Sequence, residues 1–495
     1  MNFLPTLREL NINFTRKIFL RYASESTIFN LSSGYGKCGV SVIRVSGPQT
    51  RDTLRAIVSK NFVPKDRYAT LRSLYHPVTN EMIDKGLVIW FPGPNSFTGE
   101  DSCEFQVHGS LAVVEAMFDA LGSIPGLRLS QPGEFTKRSF FAGKLDLTEV
   151  EGLADLIHAE TEAQRKQALL QSTGSLSKVY KNWRERLIKC VAHMEAYIDF
   201  AEDENIEDDL LEKLKTELLS LRENIQNHLN DHRQGEILRH GVRTTIIGAP
   251  NVGKSSFLNL MCQRKVSIVT PIAGTTRDVI ESFHNICGYP VLFADTAGLR
   301  TLTDDVVEKE GISRAKDRIG KSDLLLLIVD ATELSKRKIT NKAFFEGFKE
   351  QYLKELGITT DLLSETSLLV ILNKVDLISS EDLEKLKNLD VALVSCLTTK
   401  MENLFQKMED KLKYICSQPT ADNPRLTNSR YRQELISCSN YITVFLDNYT
   451  TNPNQDLAIA AQTLRKAVKC IEKITGNVST DDILDVVFRD FCIGK

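Results

Sequence analysis

Eight residues constrain this chain more than any other stretch: Gly248-Ala-Pro-Asn-Val-Gly-Lys-Ser255. They fit the pattern G-x-x-x-x-G-K-[ST] and follow Thr244-Thr-Ile-Ile247, a candidate strand. A strand that runs through a glycine-bearing loop into a helix curls backbone N–H groups around phosphate oxygens, and the helix points its positive end at them. Lys254 then places a charge between the last two phosphates, and Ser255 offers its hydroxyl to Mg²⁺. From about Arg239 to Lys400, β-like runs alternate with helical segments, the pattern of a doubly wound sheet.

Two further motifs settle which nucleotide this loop holds. Asp295-Thr-Ala-Gly298 follows the apolar run Val291-Leu-Phe293. An acid at a strand end holds Mg²⁺ through water, and Gly298 can donate its N–H to the terminal phosphate. Asn373-Lys-Val-Asp376 follows Leu368-Leu-Val-Ile-Leu372. The Asp376 carboxylate can accept both the ring N–H and the exocyclic amine of guanine; adenine lacks that donor pair and would leave the charge unpaired. Lys374 can lie along the base, and Ser395-Cys396-Leu397 fits the loop that touches the guanine carbonyl. In this order the motifs predict a guanine-nucleotide-binding domain. The candidate GTP-binding residues are Gly248, Asn251, Val252, Gly253, Lys254, Ser255, Ser256, Thr275, Thr276, Asp295, Thr296, Ala297, Gly298, Asn373, Lys374, Asp376, Ser395, Cys396 and Leu397. Leu299 stands where Ras-like proteins carry the glutamine that orients water, so another group must do that work. Thr275 and Thr276 supply a hydroxyl for Mg²⁺ and carbonyls for a second cation. Asn251 either adds a side-chain oxygen to that cation or only shapes the loop.

The rest of the chain must fit around this site. Its 495 residues suggest about three domains. With 62 Lys+Arg against 65 Asp+Glu, the whole chain has no strong pull on nucleic acid, so an RNA partner needs a local basic surface or a helper protein. The longest clear apolar run, Leu324 to Val329, is far short of the ~20 residues of a membrane span. The ten cysteines are scattered without a C-x-x-C pair, which argues for a reduced compartment and against a zinc ribbon. The opening is different. Arg8, Arg16, Lys17 and Arg21 oppose only Glu9 and Glu25, and Phe14, Ile18 and Tyr22 recur every four residues. That basic amphipathic segment reads as a mitochondrial transit peptide, the alternative being an ordinary disordered terminus. The expected organisation is a leader over 1–25, an α+β domain over 26–145, a helical block over 146–238, the nucleotide domain over 239–405 and a second helical block over 406–495. Two helical blocks flanking an α/β block suggest a helical domain with the α/β domain inserted in it.

The phosphate loop with its Asn251, the segment Thr270-Pro-Ile-Ala-Gly-Thr-Thr-Arg-Asp278 and Asp295-Thr-Ala-Gly-Leu299 together resemble the MnmE/TrmE tRNA-modification GTPases. Elements outside the nucleotide domain extend the resemblance: Phe97-Thr-Gly-Glu-Asp101, Pro132-Gly-Glu-Phe135, Lys144-Leu-Asp-Leu147, Thr480-Asp-Asp-Ile-Leu-Asp485 and Phe491-Cys-Ile-Gly-Lys495. It covers essentially the whole chain after the leader. The resemblance implies a multidomain α/β and α protein: an N-terminal α+β folate-binding and dimerising domain, a helical domain, and an inserted P-loop GTPase domain with a doubly wound sheet. It implies a matrix-located homodimer that works on tRNA with an FAD-dependent MnmG/GidA-like partner, FAD belonging to the partner alone. Together they modify position 5 of the wobble uridine with a one-carbon unit from a tetrahydrofolate derivative, bound as the 5,10-methylene or 5-formyl form. GTP hydrolysis is then activated by K⁺-dependent dimerisation of the nucleotide domain.

By the same resemblance K⁺ falls to Asn251, Thr270, Ile272 and Thr275, and Mg²⁺ to Ser255 and Thr276; Thr270 joins the GTP-binding set. The catalytic acid becomes Glu308, three residues before Gly311, although Glu310 also fits. Folate contacts fall to Arg44, Glu104, Lys144 and Lys495. Cys492 either acts on the transferred carbon or is a plain tail thiol. A different reading of the nucleotide motifs is a mitochondrial ribosome-assembly or RNA-binding GTPase of the Era/EngA type, but no dedicated basic RNA-binding module is evident. A scaffold that binds nucleotide without hydrolysis is disfavoured by the intact Lys254, Ser255, Thr276 and Asp295.

Overall fold

The structure is a computed structural model that describes residues 26–62, 65–200, 208–263, 282–293, 319–337, 342–358, 366–417, 420, 423–451, 457–476, 487–488, 491 and 494. The leader over 1–25 lies outside them. The chain divides into two compact units: Met1–Ala154 with Gln171–Leu221 and Ser437–Lys495, and Asp155–Leu170 with Arg222–Ile436. Along the sequence the second unit is thus interpolated into the first.

The first unit contains a six-stranded sheet. Its strands are β1 (Thr27–Leu31), β2 (Cys38–Ser46), β3 (Thr70–Tyr75), β4 (Met82–Phe91), β5 (Ser102–Gly109) and β6 (Leu127–Leu129), in the order β3-β4-β5-β2-β1-β6. Its ladders are antiparallel except β1 with β6. Alternation along the strands divides the two faces. Ile43, Val45, Cys103, Phe105 and Val107 enter a core with Leu54 and Ile57 of the helix Thr50–Ile57 and Met117 and Leu121 of the helix Leu111–Gly122. Arg44 and Glu104 lie between those residues in sequence and so face the other way.

Helices complete the unit. Ser175–Phe200 buries Leu176, Tyr180, Trp183, Leu187, Cys190 and Met194, spaced alternately four and three residues apart. This apolar seam packs against Leu457–Thr475, which buries Ala461, Leu464, Val468 and Ile471. Ion pairs flank the seam: Arg184 with Glu472 at 2.8 Å and Arg465 with Glu195 at 2.5 Å. Residue numbers rise on one helix as they fall on the other, so the two run antiparallel.

Among the described residues the second unit is built on a seven-stranded sheet: β7 (Val242–Ile247), β8 (Ser282–Ile286), β9 (Tyr289–Phe293), β10 (Leu324–Asp330), β11 (Ser367–Asn373), β12 (Ala392–Ser395) and β13 (Lys400–Glu402). The order is β13-β12-β11-β10-β7-β9-β8, with antiparallel strands only at its two edges. β10 is apolar throughout because both its faces are covered. Leu324, Leu326 and Ile328 join a core under the helices Lys254–Gln263 and Leu404–Cys416. Leu325, Leu327 and Val329 join another, under Ala331–Lys336, Lys342–Glu355 and Ser380–Lys387. Leu404, Met408, Leu412 and Cys416 belong to the first of these cores, so the α/β packing runs past residue 405. No helix among the described residues is long and apolar enough to cross a membrane, and none of their cysteines forms a disulfide.

Candidate functional site

The parallel strands β7, β10 and β11 end on one side of the second sheet, where open α/β sheets bind ligands. The phosphate loop leaves β7 there. A Cβ on Gly248 (φ +154°) would stand 2.3 Å from the Ile328 carbonyl oxygen, and one on Gly253 (φ +98°) 2.2 Å from Asn373 Nδ2. Glycine is therefore required at both positions of the motif by backbone conformation and by close approach. Asn251 is exposed with φ +62°, a left-handed turn that asparagine tolerates. Lys254 Nζ donates to the Gly248 and Ala249 carbonyls at 2.9 and 2.8 Å, which lays the side chain back along the loop. Burial pushes its pKa down, so a polyanion that restores charge compensation finds a partly desolvated ammonium already in place. Ser255 and Ser256 lie exposed at the start of the helix Lys254–Gln263, where N–H groups and the helix dipole favour phosphate. This cradle fits a nucleotide di- or triphosphate.

The base-recognition loops are tied to the phosphate loop by one side chain. Asn373 is 2 % exposed. Its Nδ2 donates to the Val252 carbonyl at 2.8 Å, and its Oδ1 accepts from Cys396 N–H at 3.2 Å. Asp376 is exposed on the short 3₁₀ turn Val375–Leu377. Ser395 is buried and accepts from Thr398 N–H at 3.1 Å, Leu397 is exposed, and burial pushes the Cys396 thiol up. The structure thus brings together Gly248–Ser256, Asn373–Asp376 and Ser395–Leu397. Thr270, Ile272, Thr275, Thr276, Asp295, Thr296, Ala297, Gly298 and Glu308 lie outside the described residues.

Two residues absent from the motifs brace the pocket. Tyr352, on Lys342–Glu355, accepts at its hydroxyl from Ala249 N–H at 3.0 Å, and burial pushes its pKa up. Asp330 accepts from Lys374 Nζ at 2.7 Å. Burial pushes the Asp330 carboxyl up, but Lys374 and Thr332 outweigh it and hold the group below its usual range. Asp330 had a sequence signal, an acid closing an apolar run; a lone tyrosine on a helix has none.

In the first unit Arg44 and Glu104 are cross-strand neighbours on β2 and β5. Arg44 Nε and Nη2 both donate to Glu104 Oε1, at 3.1 and 2.9 Å. The guanidinium lies 5.4 Å from the Phe97 ring centroid and 5.8 Å from that of Phe135. Lys144 Cε is 3.8 Å from the Cβ position of Gly99, in the same loop as Phe97. Below that loop the buried Arg138 binds Glu100 at 2.9 Å, and Ser46 Oγ donates to Glu100 at 2.9 Å. The chain end reaches this sheet: Ser32 Oγ donates to the Gly494 carbonyl at 2.8 Å, just beyond β1, and Phe488 and Phe491 are buried. Lys495 and Cys492 lie outside the described residues. An ion pair flanked by two aromatic rings, with a lysine nearby, suits a flat polar ring bearing carboxylates.

Residues 147–492 match the family described as MnmE helical domain, and residues 27–144 match the GTP-binding protein TrmE N-terminus. The chain belongs to the MnmE/TrmE family. Its relatives include the 5-taurinomethyluridine-[tRNA] synthase subunit GTPB3, mitochondrial, of Danio rerio, 47 % identical over 96 % of this chain and 94 % of that protein. The human protein of the same name is 46 % identical over 95 % of this chain and 94 % of its own. The tRNA modification GTPase MnmE of Rickettsia canadensis is 39 % identical over 95 % of this chain and all of its own. This MnmE-family chain is a mitochondrial GTPase. Its TrmE-type N-terminal domain carries the Arg44–Glu104 pair, and its GTPase domain the nucleotide pocket. Among solved structures, the G domain of the T. maritima FeoB iron transporter aligns at TM-score 0.22 and 21 % identity over 36 % of this chain and 99 % of that one, which decides nothing about the fold.

Proposed function

We propose that this GTPase, as a homodimer with an FAD-dependent MnmG/GidA-like partner, installs an aminomethyl-type group at position 5 of the wobble uridine of mitochondrial tRNAs. The observation that carries this reading is similarity along nearly the full chain to proteins named as 5-taurinomethyluridine-[tRNA] synthase subunits, joined to a pocket assembled for guanine nucleotide. Those names favour taurine as the amine. The word subunit in them favours a partner that completes the synthase.

Each part of the chain has work in this proposal. Residues 26–145 bind the folate and dimerise, the nucleotide domain begins near 239 and runs through the helix Leu404–Cys416, and the helical segments before and after it carry the chain end back toward the folate. Arg44, Lys144 and Lys495 would meet the folate's carboxylates or ring carbonyl, while Glu104 would accept from its aminopyrimidine edge through Oε2, which takes no part in the Arg44 pair. A bound folate would supply the one-carbon unit that links amine to base. In the nucleotide domain Lys254 and the loop N–H groups hold the phosphates, and Ser255 and Thr276 would hold Mg²⁺. Asn251, Thr270, Ile272 and Thr275 would hold K⁺, and Glu308 would orient water in place of the glutamine that Leu299 replaces.

Two readouts on the full-length protein test the cofactor assignments. Hydrolysis is expected to be faster in KCl than in NaCl at equal ionic strength, and Asn251→Ala is expected to remove the difference. Equilibrium dialysis with 5-formyl-tetrahydrofolate is expected to show binding that Arg44→Ala weakens roughly tenfold. Equal rates in the two salts would overturn the K⁺ role, and no folate retained by the unaltered protein would overturn the one-carbon role.

A further inference from the structure

Asp330 closes β10, the strand between the one that carries the phosphate loop and the one that carries the base loop. β10 pairs with β7 on one side and β11 on the other, where Asp330 is in register with Asn373. Its two carboxylate oxygens have separate partners. Oδ1 accepts from the Thr332 N–H at 2.9 Å and its hydroxyl at 2.7 Å, and so caps the helix Ala331–Lys336. Oδ2 accepts from Lys374 Nζ at 2.7 Å. Capping needs only Oδ1, so the second contact calls for its own explanation.

Lys374 sits between Asn373, which is anchored on two other loops, and the turn that carries Asp376. Its φ is +63°, a conformation an L-residue keeps only when its surroundings hold it. Side-chain exposure is 15 % for Asp330 and 34 % for Lys374, so this is a partly buried pair and not a freely solvated one. We propose that Asp330 is a positioning residue for guanine selectivity: by holding the Lys374 ammonium it fixes the strained loop so that Asp376 meets the N1–H and exocyclic amine of the base. The inference rests on the nucleotide site of the GTPase alone and is independent of the folate and tRNA assignments.

The test is Asp330→Asn in the full chain, because asparagine keeps an oxygen for the helix cap and loses the ion pair. Dissociation constants are measured for GDP and for IDP, which lacks the exocyclic amine. GDP affinity is expected to fall roughly tenfold and IDP affinity less, so the GDP:IDP ratio narrows while the melting temperature holds. In a Lys374→Met background Asp330→Asn is expected to add nothing. A ratio unchanged from the unaltered protein, equal losses for both nucleotides, or additive effects of the two substitutions would each overturn the proposal. If Asp330→Asn does not fold, Asp330→Ser, which keeps an oxygen for the helix cap and also loses the ion pair, decides: a narrowed ratio supports the proposal, and an unaltered ratio overturns it.

Discussion

Tyr352 shows how a side chain outside every motif can shape the phosphate loop. Its hydroxyl accepts from Ala249 N–H at 3.0 Å, in the turn that Lys254 closes from the other side through the Gly248 and Ala249 carbonyls. Tyr352→Phe removes that acceptor and keeps the ring in its core. The expected cost is about 1 kcal/mol of nucleotide binding, a fivefold weaker GDP affinity, with little loss of stability. Titration calorimetry checks it, and an unchanged affinity would reduce Tyr352 to a packing residue. At this scale the sequence is legible wherever chemistry dictates residue type. Gly248, Gly253 and Lys254 are readable because few other residues satisfy a tight turn or a polyanion. Arg44 and Glu104 carry no such local signal; the resemblance points to them, and only strand register makes them neighbours.

Elements are legible through period. The seam Leu176, Tyr180, Trp183, Leu187, Cys190 and Met194 is an amphipathic helix written in spacing, and its burial follows from it. Leu187 is fully buried there, so Leu187→Ala is expected to cost about 2–5 kcal/mol, read as a lower midpoint in urea, while Lys189→Ala on the exposed side costs under about 0.5 kcal/mol. Equal midpoints for the two variants would contradict the packing. His228, near the end of the helix Asp208–Leu229, gives a pH signature that no spacing reveals. Burial is the main cause of its pKa falling to about 4, with Arg425 and Arg432 adding to the effect and Asp231 opposing it. A neutral histidine in the folded state binds fewer protons than the unfolded chain below pH 6.5. Stability from this group is therefore present above 6.5 and lost as pH falls toward 4, by about 3 kcal/mol in all. Denaturant melts across that window should show a shallower acid loss for His228→Gln than for the unaltered protein; parallel curves would contradict it.

The whole molecule is less legible than its parts. Alternating β-like and helical runs mark the second sheet, and helical runs on either side of it mark the interpolation, because both are local patterns. Which strands neighbour one another is not local. β10 follows β9 in sequence but lies beside β7 and β11. The bond from Ser32 to Gly494 joins residues 462 positions apart, and no window of sequence carries it. The nucleotide pocket itself depends on Asn373 reaching Val252, 121 positions away.

On the proposed function, this nucleotide pocket serves tRNA modification. Mass spectrometry of mitochondrial tRNA nucleosides from cells lacking the protein tests it most directly, with rescue by the intact gene or by Lys254→Ala. Loss of a position-5 wobble-uridine modification is expected, restored by the intact gene and not by Lys254→Ala. Nucleosides unchanged by loss of the protein would contradict it and favour a GTPase of ribosome assembly.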